Sequence, residues 1–193
     1  SDELWRSDTF FEAKLTEQQQ RHAKAQGTAY SIEPNLKTSP GGMRDLQTLT
    51  WVARKHFGVA DMLTLRHKGF FTNDEYAELI ECQNFLFRVR FALHQAAARP
   101  ENRLLLQYQA EVAKLMGFGE GSSLGEGGNI AIEKMMRQIF RAMKRIRELN
   151  QLLMAYFSRE IAPNTPSHVI PINDKFEIVD QHIHVRDEDV FID

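Results

Sequence analysis

Ser31-Ile-Glu-Pro-Asn-Leu-Lys-Thr-Ser-Pro-Gly-Gly-Met-Arg-Asp-Leu-Gln-Thr-Leu-Thr-Trp51 is a polar, irregular stretch that leads into an amphipathic pattern. Pro34 favours an extended backbone at Glu33. Ser39-Pro40 has the residue types of a helix N-cap followed by the first helical residue. The pattern therefore predicts a helix from about Pro40 to Phe57, with a glycine just beyond its end.

The adjacent glycines of this stretch are unusual for the first turn of a helix. Gly41 and Gly42 together cost a helix about 2 kcal/mol relative to alanine, so we expect another group to approach their backbone closely. One interpretation is an anion bound at the helix N-terminus and flanked by Lys37 and Arg44. The other is that the glycines allow a neighbouring helix to pack closely while both cations face water. Both interpretations stay open at this point.

The composition is that of an ordinary globular protein, since 42% of the 193 residues are hydrophobic and 26% are charged. A net charge of −2 gives no general attraction to nucleic acid or anionic lipid, and no apolar run approaches the roughly 20 residues of a membrane span. The single cysteine, Cys82, excludes an internal disulfide. We expect a cytoplasmic protein and, because no methionine or signal peptide precedes Ser1, a piece of a longer chain.

Apolar periodicity predicts a mainly α-helical fold, a bundle of about five to six helices, with a small C-terminal β-hairpin. The first helix spans Asp8 to Gln26, and its polar run Gln18–Lys24 is expected to face water. Further helices are predicted at 59–67, 73–98, 101–116 and in a long segment that ends near residue 160. The spacing of Thr72-Asn-Asp-Glu75 is that of a capping box at the start of the fourth helix.

The helix predicted at 73–98 is apolar around most of its circumference, which is typical of a central helix. Arg90 and His94 lie one turn apart on it, and Arg103 follows just beyond its end. These three residues are secondary candidates for a polar site. The alternative for His94 is a buried histidine that is bonded to a neighbouring group.

The last helix has both a packing seam and a basic face. The seam residues alternate spacings of four and three: Ile132, Met136, Ile139, Met143, Ile146, Asn150, Leu153 and Phe157. The basic residues predict either a solvated face or a contact with an acidic partner: Lys134, Arg137, Arg141, Lys144, Arg145 and Arg147. The glycine-rich stretch Gly119–Gly128 lacks the ending of a phosphate-binding loop and is interpreted as a connector.

The tail changes from a helical to an alternating period. Apolar residues alternate on both sides of a turn near Asp180-Gln181, which predicts a β-hairpin: Phe176 and Ile178, then Ile183 and Val185. We expect residues 1–160 to form the helical domain, and residues 161–193 to form a proline-containing linker and hairpin that lead to a further domain. His182 and His184 have no evident third ligand, so no metal site is predicted.

The sequence predicts no self-sufficient active site and therefore no catalytic residue in this chain. It contains no Gly-x-Ser-x-Gly, His-Glu-x-x-His or phosphate-binding-loop motif. Cys82 has no evident histidine partner, and no Asp-x-Asp pair is expected to hold catalytic Mg²⁺. A helical domain that has cations suited to phosphate, but no carboxylates to bind a metal ion, suggests one half of a transferase.

Several blocks of residues carry a family resemblance: Glu33-Pro-Asn-Leu-Lys37, Ser39-Pro-Gly-Gly-Met-Arg-Asp-Leu-Gln47, Trp51, Lys14, Gln18-Gln-Gln-Arg-His22, Arg88-Val-Arg-Phe-Ala-Leu-His94, Asn102-Arg103-Leu104, Gln109 and Glu133-Lys-Met-Met136. Together they resemble the signature of the bacterial PII uridylyltransferase/uridylyl-removing enzymes, over about residues 10 to 160. The tail is similar to the segment before that family's hydrolase domain. Met43 stands where leucine is more usual, a volume-conserving change.

The resemblance implies the helical region between two catalytic domains. In the family, a nucleotidyltransferase domain with Mg²⁺ transfers UMP from UTP to a tyrosine of the PII signal protein, an HD domain removes it, and ACT domains sense glutamine. The implied partners are PII and the protein's own nucleotidyltransferase and HD domains, with no nucleic acid or membrane. The chain alone is expected to be inactive and to hold neither Mg²⁺ nor UTP.

The resemblance also implies a set of candidate residues for a nucleotide or PII cleft: Glu33, Asn35, Lys37, Gly41, Gly42, Arg44 and Asp45. We expect Lys37 and Arg44 to contact UTP phosphates or the pyrophosphate leaving group. Glu33 and Asp45 are expected to orient those cations or a tyrosine of PII. Two alternatives are the similar helical domain of glutamine synthetase adenylyltransferase and a purely structural or interaction module between domains.

Overall fold

The computed structural model describes residues 6–25, 32–59, 61–119, 126–161, 169–171, 176–179 and 182–185. The elements of this part of the chain are α1 (Ser7–Ala25), α2 (Met43–Phe57), α3 (Met62–His67), α4 (Asn73–Ala97), α5 (Leu106–Leu115), α6 (Glu126–Ile161), β1 (Val169–Pro171), β2 (Phe176–Val179) and β3 (His182–Val185). The prediction of a mainly α-helical protein is confirmed. The chain divides into two compact units, Ser1–Ile161 and Ala162–Asp193.

Helix α6 is the centre of the first unit, because it packs against α1, α2, α4 and α5. The predicted seam is buried along most of its length, at Ile139, Met143, Ile146, Asn150, Leu153 and Phe157. Ile132 and Met136 are only partly buried, and Met135 takes the core position in that part of the helix. The seam explains how one long helix organises the four others, since each of them covers part of its apolar surface.

Helix α2 begins at Met43, so the earlier start predicted from Ser39-Pro40 is wrong. Gly41 has a φ of +78°, which lies in the left-handed region and is incompatible with a right-handed helix. Gly42 is the N-cap and has an extended backbone. The side chain of Ser39 accepts a hydrogen bond from the Asn35 N–H rather than capping α2. The glycine pair therefore ends a loop instead of forming the first helical turn.

Helix α5 also begins later than predicted, at Leu106. The residues before it are extended because they pair with the central stretch: the Leu36 N–H donates to the Asn102 carbonyl at 2.8 Å, and the Leu104 N–H donates to the Pro34 carbonyl at 2.9 Å. These tertiary hydrogen bonds replace the helical ones that the sequence pattern predicts.

Helix α4 begins as predicted and is a central helix, because it packs against α3, α5 and α6. Its capping box is confirmed, since Thr72 Oγ1 accepts from the Glu75 N–H and Glu75 Oε2 accepts from the Thr72 N–H. Two of its apolar residues are not covered, because Phe87 is 46% exposed and Phe91 is 68% exposed. One face of α4 therefore presents aromatic rings to solvent.

The second unit contains three short antiparallel strands in the order β1-β2-β3. In the register, Val169 pairs with Val179, and Phe176 pairs with Val185. The turn predicted at Asp180-Gln181 lies outside the described residues, so the hairpin stays a prediction, as does most of the glycine-rich connector. No helix in the described part of the chain has both the length and the apolar character required to span a membrane.

Candidate functional site

A buried carboxylate lies beside the glycine pair. The Asp45 side chain is 0% exposed, and its Oδ1 lies 2.5 Å from Arg21 Nη2 and 3.0 Å from His22 Nε2. Its Oδ2 accepts a 2.7 Å hydrogen bond from the Gly41 N–H. Burying a carboxylate is costly unless it is paired and hydrogen-bonded, and Asp45 meets both conditions. The anionic group that binds the glycine loop is therefore the protein's own aspartate.

The backbone N–H groups at the start of α2 are all used within the protein. Their hydrogen bonds are Met43 N–H to the Leu36 carbonyl at 3.1 Å, Arg44 N–H to the Lys37 carbonyl at 2.9 Å, and Asp45 N–H to the Gly42 carbonyl at 3.0 Å. A helix N-terminus attracts anions because its first N–H groups have no intrahelical partner. These donors already have partners in the preceding loop.

A neighbouring helix packs directly against the first glycine. A Cβ atom on Gly41 would overlap the main-chain carbonyl of Met143 in α6, with its centre only 2.6 Å from the carbonyl carbon. A Cβ on Gly42 would lie 2.8 Å from the carbonyl oxygens of Lys37 and Ser39. The second interpretation, close packing by a neighbouring helix, therefore accounts for Gly41, whereas Gly42 is required by the carbonyl oxygens of its own loop.

A second set of buried hydrogen bonds joins α1, α2 and α6. Gln18 Nε2 donates to Asn150 Oδ1 at 2.6 Å, and Asn150 Nδ2 donates to the main-chain carbonyl of Asp45 at 3.1 Å. The prediction that the polar run of α1 faces water is confirmed for Gln19, Gln20 and Lys24. It is wrong for Gln18, which is buried, and for Arg21, which is 13% exposed. One face of α1 instead supplies the polar groups that satisfy Asp45 and Asn150.

The loop before α2 is held by its own side chains and by α5. Asn35 Oδ1 accepts from the N–H groups of Lys37 and Thr38, at 3.0 and 2.9 Å. Glu33 Oε1 accepts a 2.9 Å hydrogen bond from the N–H of Leu106, the first residue of α5. A carboxylate at this place satisfies an unpaired donor and interacts favourably with the helix dipole. Glu33 therefore caps a helix that is distant in sequence.

Replacing Glu33 by alanine is expected to lower the free energy of unfolding by about 1 kcal/mol, the usual cost of losing a helix cap. Glutamine at the same position keeps an acceptor oxygen and is expected to lose less than half of that amount, because it loses the charge alone. Urea unfolding of the chain followed by circular dichroism measures both values. Equal losses for the two variants would contradict a capping role.

A surface cleft of about 460 Å³ opens beside these elements, and we call it the signature cleft. It is lined by Glu17, Gln20, Arg21, Lys24, Ala25, Asn35, Thr38, Ser39 and Arg103. Three of the lining residues are cationic and one is anionic, so the cleft favours a negatively charged ligand. Of the residues predicted for a site, the structure brings Asn35 and Arg103 together here.

Arg44 lies beside this cleft and stacks on an aromatic ring. Its guanidinium carbon is 5.3 Å from the centroid of Trp51, and Lys14 Nζ is 4.9 Å from the same centroid. The hydrogen bond from Lys14 lowers the pKa of Glu17 against the opposing effect of burial, and the charges of Lys14, Arg21 and Arg44 lower it further. Glu17 is therefore ionised at neutral pH and offsets part of the positive charge. The side-chain ammonium of Lys37 makes no hydrogen bond or ion pair with other described residues, although its backbone does.

The other two secondary candidates lie in a different cleft, of about 640 Å³, which we call the aromatic cleft. It is lined by Phe87, Arg88, Arg90, Phe91, Ala92, His94, Gln95, Leu115 and Met116. Arg90 Nε donates to Asn102 Oδ1 at 2.8 Å, whereas the buried His94 Nε2 has no hydrogen-bond partner in the described structure. The structure thus separates Arg90 and His94 from Arg103, whose Nε donates to the Glu33 carbonyl at 3.3 Å.

The described residues contain no group of three or more histidine, cysteine or acidic side chains that could hold a metal ion. Burial raises the pKa of the Cys82 thiol, and the charges of Glu78 and Glu81 raise it further, so the reactive thiolate is disfavoured. Asp187 and Asp189 form an Asp-x-Asp pair in the sequence, although no such pair is expected to hold catalytic Mg²⁺. That pair and the side chains of His182 and His184 lie outside the described structure.

The residues of α1 in the buried network around Asp45 have no role predicted from the sequence. Gln18, Arg21 and His22 have the spacing of one helical face, at i, i+3 and i+4, and this was the available signal. Asn150 was included in the apolar seam of α6, although an amide at a seam position requires hydrogen-bond partners. A polar face on α1 opposite a polar seam residue predicts a buried network.

A family model described as GlnD PII-uridylyltransferase matches residues 9–154. Three similar curated proteins, each named bifunctional uridylyltransferase/uridylyl-removing enzyme, come from Pseudoalteromonas translucida (46% identical, covering 97% of this chain and 21% of the relative), Vibrio parahaemolyticus (47%, 83% and 18%) and Vibrio cholerae (42%, 99% and 21%). The chain spans about a fifth of the length of these relatives. No solved structure gives a significant match.

Proposed function

We propose a function from the premise that this chain belongs to the GlnD PII-uridylyltransferase family. The chain is the helical region between a nucleotidyltransferase domain and an HD domain, with its C-terminal hairpin leading toward the latter. The whole enzyme transfers UMP from UTP to a tyrosine of the PII signal protein and removes it in response to glutamine. The helical region alone is inactive and contributes one wall of the cleft for nucleotide and PII.

The observation that carries this proposal is the different placement of acids and cations within the central stretch. Asp45 is buried and held by Arg21 and His22, whereas the partly exposed Arg44 and Lys37 retain donors that are available to a ligand. The protein folds with its acid satisfied internally and its cations at the surface. Such a surface is suited to phosphate oxygens, which accept charge-assisted hydrogen bonds.

We assign Arg44 and Lys37 to the phosphates of UTP or to the pyrophosphate leaving group, where cations stabilise the charge that develops during transfer. Asn35 and Arg103 extend this surface through the signature cleft. Gly41, Gly42, Glu33 and Asp45 support it by fixing the loop and helix that carry the cations. We assign Mg²⁺ to the nucleotidyltransferase domain of the full-length enzyme, as the family resemblance implies.

Replacing Arg44 by alanine in the full-length enzyme is expected to lower kcat/KM for PII uridylylation by at least about tenfold, because one phosphate-directed cation is lost. The fold should be retained, since loss of its stacking on Trp51 costs only about 0.5–1 kcal/mol. The assay measures the initial rate of UMP transfer to PII.

The matched control is Arg54→Ala, which removes an exposed arginine ten residues further along the same helix. It should leave kcat/KM within about twofold, in line with a surface change far from the proposed site. A folded Arg44→Ala enzyme with unchanged uridylylation kinetics would rule out the assignment of Arg44.

The second candidate function is a purely structural module between domains, which the packing of Gly41 on Met143 favours. Titrating the full-length enzyme with UTP, and the 193-residue chain with PII, distinguishes the two. A UTP affinity that falls in the full-length Arg44→Ala enzyme supports a nucleotide wall. An unchanged UTP affinity supports an interaction module if the chain binds PII, and a structural module if it does not.

A further inference from the structure

The aromatic cleft combines large exposed apolar side chains from two packed helices. Phe87 and Phe91 of α4 are 46% and 68% exposed, and Leu115 at the end of α5 is 45% exposed. All three line the same cleft. An exposed apolar patch with polar residues at its rim is typical of a protein interaction site. Phe87, Phe91 and Leu115 therefore form an apolar surface suited to a partner.

The same cleft is cationic, because Arg88, Arg90 and His94 line it and no acidic residue does. The Arg88 guanidinium makes no hydrogen bond or ion pair within the described part of the chain. The Arg90 guanidinium donates through Nε alone, to Asn102. The buried Nε2 of His94 also lacks a hydrogen-bond partner there. The cleft therefore has polar groups without hydrogen-bond partners next to an apolar surface.

We propose that the aromatic cleft docks a peptide segment in which an apolar side chain is flanked by carboxylates. The apolar side chain packs on Phe87, Phe91 and Leu115, and the carboxylates accept hydrogen bonds from Arg88 and the free nitrogens of Arg90. A second copy of this chain fits poorly, because a two-fold contact through the cleft would bring two cationic surfaces together. This inference does not depend on the proposed nucleotide function.

The test uses the 193-residue chain and a fluorescein-labelled amphipathic peptide with leucine and phenylalanine on one helical face and glutamate on the other. The expected result is saturable binding, measured as fluorescence anisotropy, that weakens at least about tenfold in Phe91→Ala, the size expected for an aromatic anchor. Arg88→Glu is expected to weaken binding by a similar factor, because attraction becomes repulsion. A peptide with lysine at every glutamate position is not expected to bind.

Two controls remove matched groups outside the cleft: Tyr156→Ala, an exposed aromatic residue of α6, and Arg137→Glu, an exposed cation of the same helix. Both should bind the glutamate peptide like the unchanged chain, and circular dichroism confirms that each variant is folded. The proposal is overturned if the glutamate peptide does not bind, if the lysine peptide binds equally, or if Phe91→Ala and Arg88→Glu bind normally. Displacement of the peptide by UTP would also overturn it, in favour of a nucleotide site.

Discussion

Replacing Asp45 by alanine is expected to lower the free energy of unfolding of the helical unit by about 3–5 kcal/mol, the usual cost of removing one partner from a buried ion pair. Arg21, 13% exposed, would lose the partner that lies 2.5 Å away. The Gly41 N–H would lose its acceptor as well, and a buried donor without a partner is costly in itself. Urea unfolding of the chain, followed by circular dichroism, measures the loss.

The control for Asp45→Ala is Glu12→Ala, which removes an exposed carboxylate from α1 and should change stability by less than about 0.5 kcal/mol. The double variant Asp45→Leu with Arg21→Met tests the cause, because it removes both charges and keeps apolar volume. It should be less destabilised than Asp45→Ala, since no unpaired charge stays buried. Additive losses in a double-mutant cycle would contradict direct coupling between the two residues.

Replacing Gly41 by alanine is expected to destabilise the helical unit by about 3 kcal/mol or more, because two penalties combine. A left-handed backbone costs a residue with a Cβ roughly 1–2 kcal/mol, and Gly41 has a φ of +78°. The added Cβ would also overlap the Met143 carbonyl, so α2 and α6 must separate, and overpacking of this kind typically costs a further 1–3 kcal/mol.

Gly69→Ala is a matched control, because Gly69 has a similar φ of +83° but no atom within 4 Å of the position of an added Cβ. It should cost only the conformational part, roughly 1–2 kcal/mol. The difference between the two variants isolates the close approach of α6. If Gly41→Ala and Gly69→Ala lose the same stability in urea unfolding, the helix contact at Gly41 is not tight.

Features encoded by local patterns were predicted from the sequence. The capping box of Thr72 and Glu75 depends on residues three positions apart, and the seam of α6 repeats along one helix. Residues close together in sequence therefore determine both features. The start of α2 was missed for a physical reason. Ser39 and Pro40 carry the local signal of a helix start, but the backbone of Gly41 is held by Asp45 and by α6 in a left-handed conformation that local propensity does not reveal.

The contacts that define the candidate site are long-range in sequence. Arg21 and Asp45 are 24 positions apart, Asp45 and Asn150 are 105 apart, and Gln18 and Asn150 are 132 apart. A residue's place in one amphipathic pattern does not say which distant polar group it meets. The sequence therefore predicts that Asp45 is important without indicating that it is buried, and it misses the residues that hold it.

The buried network assigns different roles to the residues of one motif. Glycines and acids that suggest an anion site in the sequence are used to join α1, α2, α5 and α6, whereas the cations of the same motif remain at the surface. A single run of residues thus carries both the packing of the helical unit and the proposed contact with phosphate. This separation of roles is the central claim. It predicts that substitutions of the buried residues lower stability, whereas substitutions of the surface cations lower kcat/KM.

The most direct test is kcat/KM for PII uridylylation per folded full-length enzyme, compared between Asp45→Asn and Arg44→Ala at a temperature where both are folded. We expect Asp45→Asn to lose stability but to keep kcat/KM within about threefold, because its buried side chain touches no substrate. We expect Arg44→Ala to keep its stability and lose at least about tenfold in kcat/KM. A stable Asp45→Asn enzyme without activity, or a fully active Arg44→Ala enzyme, would contradict the separation of scaffold and site.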